Sequence, residues 1–245
     1  MVWLPLGFFA TALLYASVGF GGGSTYSALL SLVGFDYRLL PILSLACNVL
    51  VVTGATIRFA RAGAIPWRGA LTVSLIAAPL AFLGGLTPIR EAQFLVLLGA
   101  SLVLAGLALL LQRRLEGEGE PTRLVPFMPL IAAPLGYLAG LVGIGGGIFL
   151  APLLHLTRWN RARQIAATTS LFILINSLAG LAGQLIKAGP DRFTEALSGG
   201  LPLLVAVVLG GQVGSLMALR LLPERTIRWL TAVLTIWAGS RLLLG

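Results

Sequence analysis

Two kinds of reactive side chain are nearly absent from this 245-residue chain, which has one cysteine and one histidine. Cys47 alone rules out a disulfide within the chain, and together with His155 it leaves no Cys/His cluster for zinc or haem. We therefore expect no metal site and no cofactor. We also do not expect an enzyme, because covalent catalysis needs a nucleophile beside a base, and these two residues lie far apart in sequence.

Charged residues are also scarce, at 10% of the chain, with 17 basic and 8 acidic side chains. Few of them fall within apolar stretches, so a relay of buried carboxylates, which marks many proton- or sodium-coupled pumps, is not expected. The net charge of +9 does not indicate nucleic-acid binding, because the Arg and Lys residues are spread over loops and no segment is long enough for a soluble domain. Membrane topology explains the basic excess better.

Long apolar stretches dominate what remains, and 58% of the residues are hydrophobic. Eight stretches are close to the ~20 residues that a helix needs to cross a bilayer, and two more are too short to cross unaided. The long stretches are roughly residues 2–18, 39–60, 67–88, 92–112, 124–142, 163–186, 196–219 and 225–244, and the short ones are about 25–35 and 148–157. Because the stretches lack the alternation of barrel strands, we predict an all-α polytopic membrane protein.

A glycine-rich break occurs twice, each time between a long and a short apolar stretch. Gly19-Phe20-Gly21-Gly22-Gly23-Ser24 recurs 124 residues later as Gly143-Ile144-Gly145-Gly146-Gly147-Ile148. An offset of 126 residues then aligns Arg61-Ala62-Gly63 with Lys187-Ala188-Gly189. These matches predict two transmembrane repeats of about five segments each.

The repeats are assigned to residues 1–112 and 124–245, and the polar stretch 113–123 is the linker between them. If all five segments of each repeat alternate across the membrane, twelve basic residues collect on one face and five on the other. If each short helix instead returns to the side it came from, the division is nine to eight and the bias disappears. The positive-inside rule favours the first arrangement, which has inverted repeats, a cytoplasmic linker and both termini outside the cytoplasm.

The glycine breaks suit an anion-binding cavity. A helix that begins at a break presents free N–H groups and the positive end of its dipole, and broken backbone at membrane depth is tolerated only beside a cavity or buried in protein. The alternative is that the glycines only allow close helix packing. A P-loop or dinucleotide-binding loop is excluded, because Gly23 is followed by Ser24-Thr25 instead of Lys and a hydroxyl residue, and no βαβ pattern is present.

Polar residues within the apolar stretches complete the predicted site, because hydroxyl and amide groups can donate to an oxyanion at a lower burial cost than a charge. We expect backbone N–H groups near both breaks to contact the substrate, together with a few side-chain donors. The predicted site residues are Gly21, Gly22, Gly23, Ser24, Asn48, Gly145, Gly146, Gly147, Thr169, Ser170 and Asn176. The sequence leaves open whether Arg58, Arg61, His155 or Cys47 takes part.

A resemblance to a known family is carried by the two breaks, by the segment Ala151-Pro152-Leu153-Leu154 and by the segment Ala166-Ala167-Thr168-Thr169-Ser170-Leu171. Over essentially its whole length, the chain resembles the TauE/SafE family. Members of that family are membrane permeases associated with the export of sulfite and with the movement of other sulfur-containing anions. The resemblance implies that the substrate is a small inorganic or organic sulfur anion and that the direction is export.

Sequence and resemblance together predict a multi-pass protein of the inner (plasma) membrane that moves a small sulfur-containing anion by alternating access. A channel-like anion pore, built from similar broken helices, is the main alternative, and a transporter of a different small anion is another. The bilayer and the anion are the expected partners, nucleic acid is not, and a homodimer is left open.

Overall fold

The computed structural model describes residues 3–18, 20–112, 122–217 and 224–244, and within these ranges every regular element is a helix. Gly19 of the first break and residues 113–121 of the predicted linker lie outside the described residues. The helices are α1 (Trp3–Val18), α2 (Gly23–Leu32), α3 (Leu40–Arg61), α4 (Trp67–Leu86), α5 (Glu91–Gln112), a 3₁₀ turn (Val125–Phe127), α6 (Met128–Val142), α7 (Gly147–Leu156), α8 (Ala162–Ala188), α9 (Pro190–Met217) and α10 (Glu224–Leu244).

Six helical segments of the described chain are long and apolar enough to cross a membrane. They are Leu40–Arg61, Trp67–Leu86, Glu91–Leu111, Val125–Val142, Ala162–Ala188 and Pro190–Gly214. The apolar parts of α1 and α10, Trp3–Ala16 and Trp229–Leu244, are shorter. The short helices α2 and α7 have 10 residues each, which corresponds to about 15 Å. Each is therefore about half as long as the ~30 Å hydrocarbon layer is thick.

Each short helix runs back along the helix that precedes it. Phe8 near the start of α1 stacks on Tyr26 with ring centroids 4.8 Å apart, and Tyr15 near its end shares a hydrogen bond of 2.9 Å with Thr25. In the second half, the Thr157 hydroxyl just after α7 lies 3.9 Å from the sulfur of Met128, the first residue of α6. The chain therefore turns at each break, and each short helix leads back toward the end of the bundle where the preceding helix began, as alternating segments would.

The loops gather at two opposite ends of the bundle. The end that we call the Arg38 face holds the turns after α2, α4 and α8, which together line one pocket. The other end, the Trp159 face, holds the turns after α3 and α7, and there Trp159 packs against Gly69 at the start of α4. The Thr122 N–H also donates to the Thr157 carbonyl at this end.

The two halves pack across each other. Helix α1 lies along α9 and α6 along α4, and in both pairs glycines bring the backbones close, with Gly210 against the Phe9 carbonyl and Gly84 against the Tyr137 carbonyl. Helices α3 and α8 are antiparallel, since Thr56 late in α3 pairs with Ser170 early in α8. Helices α5 and α10 are antiparallel too, because Gly99 early in α5 meets Gly239 late in α10.

Candidate functional site

The glycine breaks adopt backbone conformations that side chains disfavour. Gly22 and Gly146, which occupy the same place in the two breaks, are the N-cap residues of α2 and α7 and have φ angles of 83° and 75°. Gly145 before α7 has a φ of 81°, and Gly143 ends α6 at 79°. Because an L-residue with a Cβ is strained in this left-handed region, glycine is what allows the chain to turn here.

Asn48 of α3 lies between the two breaks. Its side-chain Nδ2 donates a hydrogen bond of 3.2 Å to the carbonyl of Ile144 in the second break. A methyl group on Gly21 or Gly23 would collide with this amide, and one on Gly145 would lie 2.5 Å from Nδ2. One fully buried side chain therefore touches both breaks and fills the space that their missing Cβ atoms leave.

Ile173 of α8 fills the remaining space between the breaks. Its Cγ2 atom lies 3.2 Å from the position of a Cβ on Gly21 and equally far from that on Gly145. A Cβ on Gly147 would meet the same side chain and would also lie 3.1 Å from the Thr169 methyl. Because both breaks pack against Asn48 and Ile173, they form one buried centre in this conformation.

Hydroxyl groups secure the first break to α3. The Ser27 hydroxyl donates to Ser44 over 3.0 Å, and the Ser44 hydroxyl donates to the Gly23 carbonyl over 3.0 Å. Ser24 and Thr25 are buried at the start of α2, and Thr25 bonds to Tyr15. Bonds between neutral groups hold this region together, and no charged side chain is buried in the part of the chain that the structure describes.

The remaining predicted side chains on α8 are used in different ways. Ser170 and Thr56 share a hydrogen bond of 3.2 Å that joins α8 to α3. Asn176 donates from Nδ2 to the Phe172 carbonyl of its own helix over 2.9 Å. The amide groups of Asn48 and Asn176 thus each donate to a backbone carbonyl, that of Ile144 in the second break and that of Phe172 one turn earlier in α8. Their donation to a substrate stays a prediction.

Several buried polar atoms of α3 and α8, the two helices that pack against the breaks, have no hydrogen-bond partner in the protein. They are Asn48 Oδ1, Thr168 Oγ1, Thr169 Oγ1, Asn176 Oδ1 and Ser177 Oγ. An unpartnered buried polar group costs about 1–3 kcal/mol, which makes such a cluster unusual in a helical core. The hydroxyls can donate to an oxyanion, while the two amide oxygens can only accept.

Reasoning from polar residues missed two members of this centre. Ile173 was overlooked because it is apolar. The Ser177 Oγ lies 3.1 Å from the position of a Cβ on Gly145. Ser177 was one of the polar residues of its apolar stretch, but its neighbour Asn176 was chosen as the site residue. Helical spacing gives the missing signal, because residues 173 and 177 are one turn apart and share a face.

Three of the four residues whose roles the sequence left open lie near the ends of helices, and the fourth, Cys47, lies beside Asn48 in a core cluster that includes Ile144 of the second break. Arg58 and Arg61 are exposed near the end of α3, and the Arg58 guanidinium folds back toward Gly54. His155 is half-buried near the end of α7. Cys47 is fully buried in the apolar cluster that contains Tyr26. Among the described residues, no group of three or more His, Cys, Asp and Glu side chains lies close enough to hold a metal ion.

Comparison with known proteins gives one consistent result. A model of the family described as sulfite exporter TauE/SafE matches residues 3–242. A probable membrane transporter protein of Sinorhizobium fredii is 33% identical over 98% of this chain and 97% of its own length. A probable membrane transporter protein of Xylella fastidiosa is 30% identical over 82% of this chain and 78% of its own length.

A more distant relative, from Methanocaldococcus jannaschii, also carries the name probable membrane transporter protein, and it is 26% identical over 71% of this chain and 68% of its own length. No solved structure matches the chain. The family match, the full-length relative and the six apolar helices agree with the resemblance read from the glycine breaks. This integral membrane protein belongs to the sulfite exporter TauE/SafE family of transporters.

Proposed function

We propose that the protein is a secondary transporter that binds a small sulfur-containing anion, such as sulfite or an organosulfonate, between its two glycine breaks. The observation that carries this proposal is the meeting of both breaks at Asn48, within a cluster of buried hydroxyls. The sulfur-containing substrate and the direction of export rest on the description of the family.

The backbone of the short helices supports an anionic substrate. The first hydrogen bonds of α2 and α7 are donated by Tyr26 and Phe149 to the carbonyls of Gly22 and Gly146. The amides that precede Tyr26 and Phe149 in each helix have no acceptor within that helix, and the helix dipole places positive potential at the same end. Neighbouring hydroxyls, including that of Thr169, add donors. The two amide oxygens suit a proton-bearing part of the substrate.

The helix contacts support two inverted repeats. The units that we propose are residues 1–112 and 124–245, which together contain eight long spans. Equivalent helices of the two halves are antiparallel, as the pairs α3 with α8 and α5 with α10 illustrate. The first helix of each half packs on the fourth helix of the other. Both features follow from a two-fold axis in the membrane plane, which is the arrangement that permits alternating access.

The orientation that we propose places the Trp159 face in the cytoplasm, with the linker 113–123, and both termini outside. Basic residues of the described chain lie on both faces, and the Trp159 face has more of them. They are Arg58, Arg61, Arg68, Arg123, Arg158, Arg161 and Arg163 on the Trp159 face, against Arg38, Arg90, Lys187, Arg192 and Arg241 on the other. The positive-inside rule then orients the protein in the inner membrane.

Transport should be tested with purified protein in proteoliposomes, using sulfite, thiosulfate and sulfoacetate as substrates under imposed gradients. Flux of at least one of these anions is expected, and its absence under every gradient would refute the substrate assignment. Counterflow of labelled substrate separates a carrier from a pore, because only a carrier is stimulated by substrate on the opposite side. The packing of Asn48 and Ile173 between the breaks favours the carrier.

A further inference from the structure

A pocket of about 160 Å³ opens on the Arg38 face between the turns after α2, α4 and α8. Since one water needs only about 10–15 Å³, the pocket has room for a small polyatomic anion. Its wall includes three basic side chains, Arg38, Lys187 and Arg192. We call it the Arg38 pocket.

The structure orients two of these three cations through neutral partners. Arg38 donates from Nε to the Tyr37 hydroxyl over 3.1 Å, and Lys187 donates from Nζ to the Thr87 carbonyl over 3.3 Å. The Tyr37 contact raises the pKa of the Arg38 guanidinium, which therefore stays charged. Each contact uses one N–H, whereas a guanidinium has five and an ammonium three, so donors remain for a ligand.

The inner end of the pocket combines an apolar wall with one buried acceptor. Gln184 is fully buried and donates from Nε2 to the Gly140 carbonyl over 2.8 Å, which leaves its Oε1 atom without a partner in the protein. Pro41 and Leu141 form part of the same wall. Pro41 in turn lies against Gly143, where a Cβ would be 2.6 Å from the Pro41 Cα. The pocket is therefore one residue layer from the second break.

We propose that the Arg38 pocket is a second anion-binding site, which receives a small oxyanion bearing a hydroxyl group. The anionic oxygens bind the three cations, the hydroxyl donates to Gln184 Oε1, and Phe94 and Ile89 cover a short carbon chain. Its role as a vestibule for the transported anion rests on the proposed function, whereas the binding of the oxyanion does not.

Binding should be measured with the full chain in phosphatidylcholine nanodiscs, using 2-hydroxyethanesulfonate and ethanesulfonate, which differ by one hydroxyl. We expect the hydroxylated probe to bind several-fold more tightly, because it satisfies a buried acceptor. Lys187→Gln and Arg192→Gln should each weaken the binding of both probes about tenfold or more, because hydrogen bonds to charged groups are strong. Arg90→Gln is the matched control, since Arg90 is exposed on the same face but does not line the pocket.

The proposal is overturned if the pocket variants bind both probes like the unaltered protein, or if Arg90→Gln weakens binding as much as they do. Equal affinity for the two probes overturns the role of Gln184. The same binding measurement should be repeated in nanodiscs that contain phosphatidylglycerol. Loss of sulfonate binding in these nanodiscs would assign the pocket to a lipid headgroup. Lys187 and Arg192 are exposed, so both variants should fold, and their melting temperatures check this.

The proposed vestibule and the proposed central site can be refuted independently of each other. If the unaltered protein moves no anion but still binds 2-hydroxyethanesulfonate in a Lys187-dependent way, the proposed function fails and the pocket stands. If anion flux is found and Lys187→Gln leaves its KM unchanged, the vestibule fails and the central site stands. The expected result is a KM raised about tenfold with little change in kcat, because the vestibule acts on capture and not on the translocation step.

Discussion

A methyl group added at Gly145 tests whether the second break must approach Asn48 closely. The substitution Gly145→Ala has two separate costs. At a φ of 81° the backbone of an L-residue is strained by roughly 1–2 kcal/mol. The new Cβ would also lie 2.5 Å from Asn48 Nδ2 and 3.1 Å from Ser177 Oγ, and overpacking of this kind costs about 1–3 kcal/mol. The sum predicts a destabilisation of about 2–5 kcal/mol.

Three other glycines separate these two costs. Gly34 has a φ of 69° with nothing within 4 Å of a Cβ, so Gly34→Ala isolates the strain. Gly21 has no positive φ but faces Asn48, so Gly21→Ala isolates the collision. Gly199 within α9 has neither feature, and Gly199→Ala should be neutral or stabilise the helix by up to about 1 kcal/mol.

Melting temperatures in detergent and anion flux in proteoliposomes provide the two readouts. The expected order of melting temperature is Gly199→Ala highest, then Gly34→Ala and Gly21→Ala, with Gly145→Ala lowest. Flux should fall at least tenfold in the variants at Gly21 and Gly145 and remain near that of the unaltered protein in the other two. If Gly145→Ala is no worse than Gly34→Ala in both assays, close approach of the break is not required and the reasoning is refuted.

A second substitution identifies the residue with which the new methyl collides. Gly21 faces mainly the Asn48 amide, so Asn48→Ala should recover part of the stability lost in Gly21→Ala. Gly23 faces the Ile144 carbonyl as well as Asn48, and trimming Asn48 leaves that backbone collision in place. A coupling of about 0.5–3 kcal/mol is therefore expected for the first pair and a smaller one for the pair of Gly23 and Asn48. Equal coupling for both pairs would contradict the geometry.

Three further predictions follow from the hydrogen bonds of the core. Asn48→Asp should abolish anion flux more completely than Asn48→Ala, because it adds a negative charge between the breaks; equal residual flux in the two variants would contradict this. Gln184→Leu should destabilise the protein by less than the roughly 1–3 kcal/mol that an unpaired Gly140 carbonyl costs, since it also removes the unpartnered Oε1, and thermal unfolding measures the loss. Thr56→Val and Ser170→Ala should be coupled by about 0.5–1.5 kcal/mol in a double-mutant cycle, and additive effects would show that the bond contributes nothing.

The position of the breaks and of the short helices could be predicted from the sequence because their causes are local. Glycine spacing located the turns, and the predicted short stretches 25–35 and 148–157 fall close to α2 and α7. The ends of the helices were predicted less accurately. Helix α9 begins at Pro190, six residues before the apolar stretch 196–219, because proline favours the first helical turn and polar residues can continue a helix beyond its apolar part.

Contacts between distant parts of the chain could not be predicted in the same way. Asn48 and Ile144 are 96 residues apart, and the Gln184 amide meets Gly140 over 44 residues. Sequence alone identified Asn48 as a polar residue in an apolar stretch, but it did not tell which groups its amide would contact. Nor did it indicate the Arg38 pocket, because Arg38 follows α2 whereas Lys187 and Arg192 flank the turn after α8, and these distant parts of the chain meet only in the fold.

The two halves differ at positions that are equivalent in sequence. The offset of 126 residues places Asn48 on Leu174 and Lys187 on Arg61, so the positive charge at the bundle ends is kept in both halves, while the amide that bonds to the opposite break is present in one. If inverted halves exchange conformations, each face retains a cation at the corresponding position, which suits capture of an anion from either side. The Asn48 bond to Ile144 has no counterpart at position 174, since leucine cannot donate. Under the proposed alternating-access mechanism, one of the two exchanged states would lack this contact, and the two states would differ in energy.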